Sequence, residues 1–403
     1  MAQGRPVVAL AFANVGHAYA HLFMLLYLTV VLALEDEFGL AYSELEPLAT
    51  FGFIAFGACA LPAGWLGDRW SGFGMMAVFF FGTGAATMLT GFARSPVEIA
   101  AGLTLIGVFA SIYHPVGTAW VVRHSLRRGK ALGVNGLFGN WGVAAAALVA
   151  GALTDLVGWR AAFIVPGALC VATGVAFVAF ARSGAVSTAG ADRAPAPPPA
   201  ARANAVRVLW VLALASLCGG IVFQANTVGL PKLFDERLTG FATGTLGVGA
   251  MVSIVYAVGG FAQILVGHLI DRFPIRPVYV LIYAMQVPLL FAAAYLFDTA
   301  LFAVAVAFVF LGVGSLPISD GLVARYAPPA WRARAYGAKF VIGLGVASLG
   351  VPMVGLLHGY TGGFTVLYVI LSGCALAVAC VGMFLPAERR AAPAAGTSLE
   401  QAD

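Results

Sequence analysis

Two short motifs decide the fold of this chain: Gly64–Arg69, which reads GWLGDR, and Gly267–Arg272, which reads GHLIDR. The second motif begins 203 residues after the first (267 − 64), and each ends an apolar stretch long enough to cross a membrane. Two further segments, RRGKALG at 127–133 and WRARAYG at 331–337, repeat at nearly the same distance. Two landmarks that recur at one offset indicate an internal duplication. Duplicated sets of membrane helices are typical of secondary transporters, whose binding sites lie between the repeats.

The composition is that of a polytopic membrane protein. Of the 403 residues, 61% are hydrophobic and 10% are charged, whereas roughly a quarter of the residues in soluble domains are charged. A membrane-spanning helix needs about 20 mainly apolar residues, and twelve such stretches occur in the sequence. The predicted spans are 7–33, 45–67, 74–93, 97–120, 131–153, 161–181, 207–230, 243–267, 277–296, 300–324, 335–357 and 363–385. We therefore expect an all-α membrane protein with twelve transmembrane helices in two pseudo-symmetric six-helix bundles.

One long polar stretch, residues 182–206, divides the predicted helices six from six. It contains APAPPP at 194–199, and a Pro/Ala-rich segment of this kind has no apolar face with which to build a core. The sequence therefore predicts four parts, which are an N-terminal bundle over 1–181, a cytoplasmic linker over 182–206, a C-terminal bundle over 207–386 and a disordered tail over 387–403.

The distribution of Lys and Arg predicts the orientation of the chain. With both termini inside, 17 of the 22 basic residues lie on the cytoplasmic side. The exceptions are Arg94, Arg160, Lys232 and Arg237 outside and Lys339 within a span. Because basic residues accumulate on the cytoplasmic side of membrane proteins, we expect a multi-pass protein of the bacterial inner membrane with both termini in the cytoplasm. The net charge of +5 then reports topology, and no nucleic-acid partner is expected.

A six-plus-six chain with the pattern Gly-x-Leu-x-Asp-Arg after its second and eighth spans resembles the major facilitator superfamily, over nearly the whole chain. The first copy continues with WSGFG from Trp70 and lacks the basic residue that ends the second copy at Arg276. Within this superfamily, His17–Tyr27, Ser111–Pro115 and Gly129–Gly142 resemble the fosmidomycin-resistance type of exporter. The resemblance implies the major facilitator fold and transport by alternating access.

Polar side chains inside the predicted spans are the candidates for substrate or proton binding, because they are costly in a bilayer and usually face a cavity or a partner. Asn14, His17 and His21 are spaced to share one face of the first helix. Histidine titrates near neutral pH, so this face is suited to binding anions or relaying protons. A hydrogen-bonded seam between helices is the alternative. The complete candidate set is Asn14, His17, His21, Tyr113, His114, Asn135, Asn140, Trp141, Gln224, Asn226, Asp320 and Lys339.

In the fourth predicted helix, His114 precedes Pro115. Proline removes a backbone hydrogen bond inside a helix, so this helix should kink and expose carbonyl groups toward a cavity. Because Tyr113 and His114 are adjacent, we expect only His114 on the cavity face.

Asp320 and Lys339 are opposite charges in the tenth and eleventh predicted spans. A structural pair between them is the first hypothesis, since an unpaired buried charge is costly. A proton-coupled switch, opened when Asp320 is protonated or when an anion binds beside Lys339, is the second.

The two repeated motifs predict a cytoplasmic gate. Asp68 and Asp271 can cap the positive end of a neighbouring helix or pair with basic residues such as Arg123 and Arg325. A simple loop turn is the alternative. The candidate gate residues are Asp68, Arg69, Arg123, Asp271, Arg272, Arg276 and Arg325.

Nothing in the sequence indicates an enzyme. It contains no Walker A motif and no metal-ligand spacing, so we expect no cofactor and no metal. We expect a monomer in the lipid bilayer that exports a small anionic or amphipathic compound and is coupled to protons. An uptake symporter or exchanger of an organic anion, and a non-transporting membrane assembly factor on the same fold, stay open as alternatives.

Overall fold

The chain is helical throughout the part that the computed structural model describes, which is residues 6–125, 128–184, 202–240, 244–326, 339 and 341–386. Eleven helices within these residues are long and apolar enough to cross a membrane. In chain order the helices are α1 (Pro6–Phe38), α2 (Tyr42–Arg69), α3 (Gly72–Thr90), α4 (Pro96–Arg123), α5 (Arg128–Val157), α6 (Trp159–Arg182), α7 (Arg202–Arg237), α8 (Gly244–Arg272), α9 (Ile275–Ala293), α10 (Asp298–Val323), α11 (341–361) and α12 (Thr365–Gly382).

The described part of α11 is irregular. It begins with a π-helical turn, Val341–Gly345, continues through a 3-10 turn, Val346–Leu349, and becomes an α-helix at Gly350–Thr361. It occupies the place of the predicted span 335–357, whose first residues lie partly outside the described ranges. The predicted all-helical membrane fold is confirmed.

The predicted linker and tail are only partly covered by the described residues. The predicted linker, 182–206, is longer than the one observed, because α7 already begins at Arg202. Residues 185–201 and the predicted tail, 387–403, lie outside the described residues.

Helices α1–α6, here called the first half, pack on one another, with α1 against α5, α2 against α4, and α3 against α4 and α6. In the second half, α7–α12, helix α8 packs on α10, and α12 packs on α7 and α9. The halves meet where α5 packs along α8 and where α2 packs on α11. The molecule therefore has two ends, named here by their residues: the motif end, at Asp68 and Arg69, and the Glu35 end, where α1 stops and α2 starts.

Helix α4 begins at a well-defined cap and is interrupted near its middle. The Ser95 side chain accepts a hydrogen bond from the Glu98 backbone N–H at 3.3 Å, and the Glu98 carboxylate accepts one from the Arg94 N–H at 2.8 Å. The two side chains thus satisfy the N–H groups of Glu98 and of Arg94, the residue before the N-cap, at the start of the helix. Farther along, the α-helix ends at Ala110 and a π-helical turn runs over Tyr113–Gly117. The predicted irregularity at Pro115 is thus present, because proline cannot donate the bond that a regular helix needs.

Helix α5 approaches α1 closely at one glycine. A Cβ atom on Gly142 would collide with the Ala18 carbonyl oxygen, so only glycine allows this contact. Gly133, nine residues earlier on the same helix (142 − 133), has no heavy atom within 4 Å of the corresponding position. Small residues at such contacts let membrane helices approach each other. Of these two glycines of α5, Gly142 therefore allows a close helix contact, whereas Gly133 faces open space among the described residues.

We expect Gly142→Ala to lower the stability of the folded protein by about 1–3 kcal/mol, because the added methyl group forces α1 and α5 apart. Gly133→Ala is the matched control and should leave stability unchanged or raise it by about 0.5–1 kcal/mol, since alanine favours a helix more than glycine does. Thermal unfolding of both variants in detergent measures the difference. Equal melting temperatures would contradict the close packing of α1 on α5.

Candidate functional site

Three histidines from two helices of the first half meet in the interior. His17 and His21 lie on α1 and His114 lies on α4, and all three are partly exposed. The ring centroids of His17 and His21 are 5.0 Å apart, and each of these rings is 5.4 Å from the ring of His114. Each histidine contributes one ring nitrogen, and these three nitrogens lie within 4.8 Å of one another. We call these residues the three-histidine cluster.

The π-helical turn brings two neighbouring side chains onto His17. The Tyr113 ring stacks on the His17 ring with a centroid distance of 4.8 Å and an angle of 16°. The His114 ring meets the same imidazole edge-on at 5.4 Å. Both side chains therefore contact His17, but Tyr113 is fully buried whereas His114 is partly exposed. The expectation that only His114 lies on the cavity face stays a prediction.

The orientation of His17 is set by a hydrogen bond to α5. Its Nδ1 atom lies 2.7 Å from the Asn135 carbonyl oxygen. A carbonyl oxygen only accepts hydrogen bonds, so Nδ1 donates and, in the neutral ring, Nε2 holds the lone pair. This Nε2 atom is buried and has no hydrogen-bond partner among the described residues. Gly139 leaves room for the ring, because a Cβ atom there would lie 2.7 Å from the His17 Cε1 atom.

The Asn135 side chain continues the same polar network. Its Nδ2 atom donates to the Asn14 Oδ1 atom at 3.0 Å and to the Tyr113 hydroxyl at 2.7 Å. The Tyr113 hydroxyl in turn donates to the Ala13 carbonyl oxygen at 2.6 Å. Asn14, Asn135 and Tyr113 thus form a hydrogen-bonded seam between α1, α4 and α5, while the histidines extend from it. The hydrogen-bonded seam, which was the alternative for this face of the first helix, is therefore present, and the hypothesis of a binding site stays a prediction.

The cluster is bordered by α2 and by the second half. The Phe56 ring of α2 contacts the His114 ring edge-on at a centroid distance of 5.5 Å. Lys339, from the second half, is close enough to interact electrostatically with His114. The Asp320 side chain lies outside the described residues, so the hypothesis of an Asp320–Lys339 pair stays a prediction. Lys339 thus brings a positive charge of the second half within electrostatic range of His114.

The remaining candidates for binding lie elsewhere. Asn140 faces α8, since a Cβ atom on Gly260 would be 3.6 Å from the Asn140 Cβ atom. The Trp141 side chain is 50% exposed and its ring packs on Phe138 at 5.1 Å. Gln224 and Asn226 are buried in α7.

At the motif end, Asp68 lies 3.9 Å from Arg123, with the two side chains 80% and 47% exposed. An exposed ion pair of this kind contributes little to stability. Both residues belong to the first half, so this pair does not join the halves. The Arg69 guanidinium lies over the Trp65 ring at 4.7 Å. Arg272 is exposed and Arg276 is partly exposed, whereas the side chains of Asp271 and Arg325 are outside the described part of the chain.

The Glu35 end is different, because polar contacts there connect the two halves directly. Lys232 of α7 donates to the Glu35 carboxylate of α1 at 2.5 Å. The Asp155 carboxylate of α5 accepts a hydrogen bond from the Leu246 N–H of α8 at 2.7 Å. The halves are therefore fastened together at this end by the partly shielded Lys232–Glu35 pair and by the exposed Asp155 carboxylate.

Glu46 is a third contact between the halves at the Glu35 end, and the sequence reasoning missed it. Its side chain is fully buried, and its Oε2 atom accepts a hydrogen bond from the Gly355 N–H of α11 at 3.1 Å. The second oxygen, Oε1, has no hydrogen-bond partner among the described residues. The signal was present, since Glu46 lies inside the predicted span 45–67 and an ionisable residue within a span is a functional candidate by default.

Two helical halves with a polar cluster beside their interface define a secondary membrane transporter. The sequence profile of the Major Facilitator Superfamily matches residues 13–341 and 240–400, and the chain belongs to this family. The resemblance drawn from the two repeated motifs is thereby confirmed at the level of the superfamily. The protein is a transporter and not an enzyme.

Solved structures of this family share the fold. A bacterial homologue of the human lysosomal transporter Spinster, in an inward-facing and occupied conformation, superposes with a TM-score of 0.72 at 14% identity, covering 94% of each chain. The same homologue in its unoccupied inward-facing conformation gives a TM-score of 0.70, covering 96% of this chain and 95% of the other. A mutant of the peptide transporter POT in complex with alafosfalin gives 0.73 at 15% identity, covering 94% of each chain.

Among proteins of known role, the chain is similar to the puromycin resistance protein of Streptomyces alboniger. The two are 30% identical over 131 residues, which is 32% of this chain and 26% of that protein. The match spans about a quarter of the length of this relative.

We expect Asn135→Ala to lower the free energy of unfolding by about 1–3 kcal/mol, because it leaves the Asn14 side chain and the Tyr113 hydroxyl without their buried donor. Asn140→Ala, five residues later on the same helix, is the matched control, since the Asn140 Nδ2 atom has no hydrogen-bond partner among the described residues. Thermal unfolding in detergent compares the two. A larger loss in Asn140→Ala would show that the seam does not support the first half.

Proposed function

We propose that this protein exports a small anionic or amphipathic compound across the bacterial inner membrane by alternating access, in exchange for protons. The single observation that carries the proposal is the three-histidine cluster in the interior, where Lys339 of the opposite half acts electrostatically on His114. Imidazole side chains together with a lysine from the opposite half form a polar site suited to an anionic group. The similarity to a resistance protein supports export over import.

The distribution of contacts between the halves supports the assignment of this structure to an inward-facing state. With both termini in the cytoplasm, as the basic residues predict, the Glu35 end faces the outside and the motif end faces the cytoplasm. The contacts of Glu35, Glu46 and Asp155 between the halves then close the outer side. An inward-facing state is the form that receives an exported substrate from the cytoplasm.

The proposed cycle follows from the charges. An anionic group that enters from the cytoplasm binds beside Lys339 and the histidines and draws the halves together around it. A ligand shifts such an equilibrium only by its difference in affinity for the two states, and a site with groups from both halves provides that difference. When the two halves close around the anion, this closure competes with the contacts at the Glu35 end. That end therefore opens and releases the substrate. Protons that bind at the histidines or at Glu46 from the outside favour the return step.

The convergence of α1, α4, α5 and Lys339 on one polar site supports transport over the alternative of a non-transporting assembly factor, which has no use for a polar site of this kind. Uptake symport or exchange of an organic anion uses the same groups, and the direction of transport separates it from export.

Transport in vesicles tests the proposal. The purified protein is reconstituted with its predicted cytoplasmic side outward, and labelled puromycin, alafosfalin and citrate are the probes. We expect at least one probe to accumulate when the vesicle interior is acidic, and we expect this accumulation to stop when the pH gradient is collapsed. Accumulation driven by an acidic exterior would indicate a symporter instead. Lys339→Gln should reduce transport of anionic probes more than tenfold, whereas His268→Ala, at an exposed position on α8, should leave it unchanged.

A second prediction concerns the outer contacts. Lys232→Met removes the ion pair with Glu35 that joins the halves, so we expect the population to shift toward outward-open states by about 1 kcal/mol, roughly a fivefold change in the ratio. Arg160→Met is the matched control, because it removes the Arg160–Glu37 pair, 3.0 Å long, which lies within the first half.

Distances between spin labels measure this shift. Leu156 and Tyr360 are 76% and 86% exposed at the Glu35 end of opposite halves, and labels at these positions in a cysteine-free background report its opening. An equal change in both variants, or none in Lys232→Met, would contradict the assignment of this contact as a latch between the halves.

A further inference from the structure

We propose that His17, His21 and His114 form a binding site for one divalent transition-metal ion, such as Zn²⁺ or Co²⁺. Each residue offers one ring nitrogen, and these nitrogens lie within 4.8 Å of one another. Imidazole is the commonest metal ligand in proteins. Three protein ligands with an open fourth position are also the arrangement of zinc sites that bind an exchangeable ligand. The site goes beyond the proposed transport function, because metal binding is measured without transport.

The orientation of His17 is the second observation that points to a metal. Metal-binding histidines nearly always donate their other ring N–H to a carbonyl or carboxylate, which fixes the tautomer and aims the lone pair at the ion. His17 has this arrangement, since its Nδ1 atom bonds to the Asn135 carbonyl at 2.7 Å and its buried Nε2 atom has no hydrogen-bond partner among the described residues. The Asn135 side chain is itself bonded to Asn14 and Tyr113, so the supporting group is held in place.

Neighbouring aromatic side chains restrict the positions of the rings. Tyr113 stacks flat on the His17 ring at 4.8 Å, and Phe56 contacts the His114 ring edge-on at 5.5 Å. In a tetrahedral site with bonds of about 2.0–2.1 Å, the nitrogens of two ligands are about 3.4 Å apart. A triangle of nitrogens contracts from 4.8 Å to this size when each atom moves inward by about 1 Å. Small side-chain rotations achieve such a movement.

The ligand set determines which ions fit. Three imidazoles without a carboxylate suit Zn²⁺, Co²⁺, Ni²⁺ and Cu²⁺, whereas Mg²⁺ and Ca²⁺ require oxygen ligands. Lys339 acts electrostatically on His114, and this positive charge opposes a bare cation. An anionic oxygen donor at the open fourth position offsets both charges. We therefore expect the ion to bind most tightly together with a carboxylate or phosphonate group.

Metal binding to the full-length protein, purified without a histidine tag and stripped with EDTA, tests the proposal. Titration with Co²⁺ should produce the visible absorption of a tetrahedral complex, and calorimetry with Zn²⁺ should give one ion per chain. Adding citrate should raise the affinity for Zn²⁺ beyond what its own chelation in solution accounts for, and Mg²⁺ should produce no binding signal. Loss of transport in vesicles leaves this result unaffected, so the two proposals fail separately.

The six histidines of the chain provide a balanced control. Two triple variants are compared by their affinity for Zn²⁺. The affinity should fall at least a hundredfold in the variant that combines His17→Ala, His21→Ala and His114→Ala. It should be retained in the variant that combines His124→Ala, His268→Ala and His358→Ala. His17→Gln, which preserves a polar side chain of similar length, tests the site if the triple variant fails to fold, and it should lower the affinity at least tenfold. Absence of binding by the folded wild-type protein, or binding that follows the second set of histidines, would overturn the proposal.

Discussion

The polar interior of the first half depends on Asn135. In the apolar interior of a membrane protein, an unsatisfied polar group costs several kcal/mol, and Asn135 satisfies three other residues at once. Its backbone carbonyl accepts from His17, and its side-chain amide donates to Asn14 and to Tyr113. These bonds join α1, α4 and α5 at one level. Because they determine where the His17 ring lies and which of its nitrogens holds the lone pair, the chemistry of the cluster follows from a residue that belongs to the supporting seam.

The two ends of the molecule differ in what holds them. At the Glu35 end, the contacts of Lys232 with Glu35 and of Glu46 with Gly355 run between the halves and are partly or fully shielded from solvent. At the motif end, the Asp68–Arg123 pair is exposed and lies within one half. A molecule that alternates between two states needs contacts that can be exchanged at modest cost, and packed interfaces switch between discrete arrangements. Polar latches between the halves at the Glu35 end are consistent with such an exchange.

The proposed anion site and the inferred metal site share the three-histidine cluster for a simple reason. A neutral imidazole offers a lone pair to a metal ion, whereas a protonated imidazole repels the ion and attracts an anion. Protons and metal ions therefore compete for the same nitrogens. A bound anion stabilises the cluster when either a proton or a metal ion occupies it. The nearby Lys339 strengthens the preference for an anion in both cases. A single site of this composition links the proposed coupling to protons with the inferred metal ion through their competition, without requiring a second cavity.

The sequence by itself determined the membrane-embedded helical fold, because hydrophobic length and the repeat of the GWLGDR motif depend on the chain alone. It also identified His17, His21 and His114 as unusual, since a titratable side chain within an apolar span stands out without any structure. Their meeting was not readable, because His114 is distant in the sequence from α1 and reaches it through a π-helical turn that a regular helical period does not represent. Glu46 was overlooked because its role depends on Gly355, a partner in the other half. Pairs of this kind are decided by the tertiary structure, since helical periodicity specifies which face a residue occupies and packing alone specifies what that face meets.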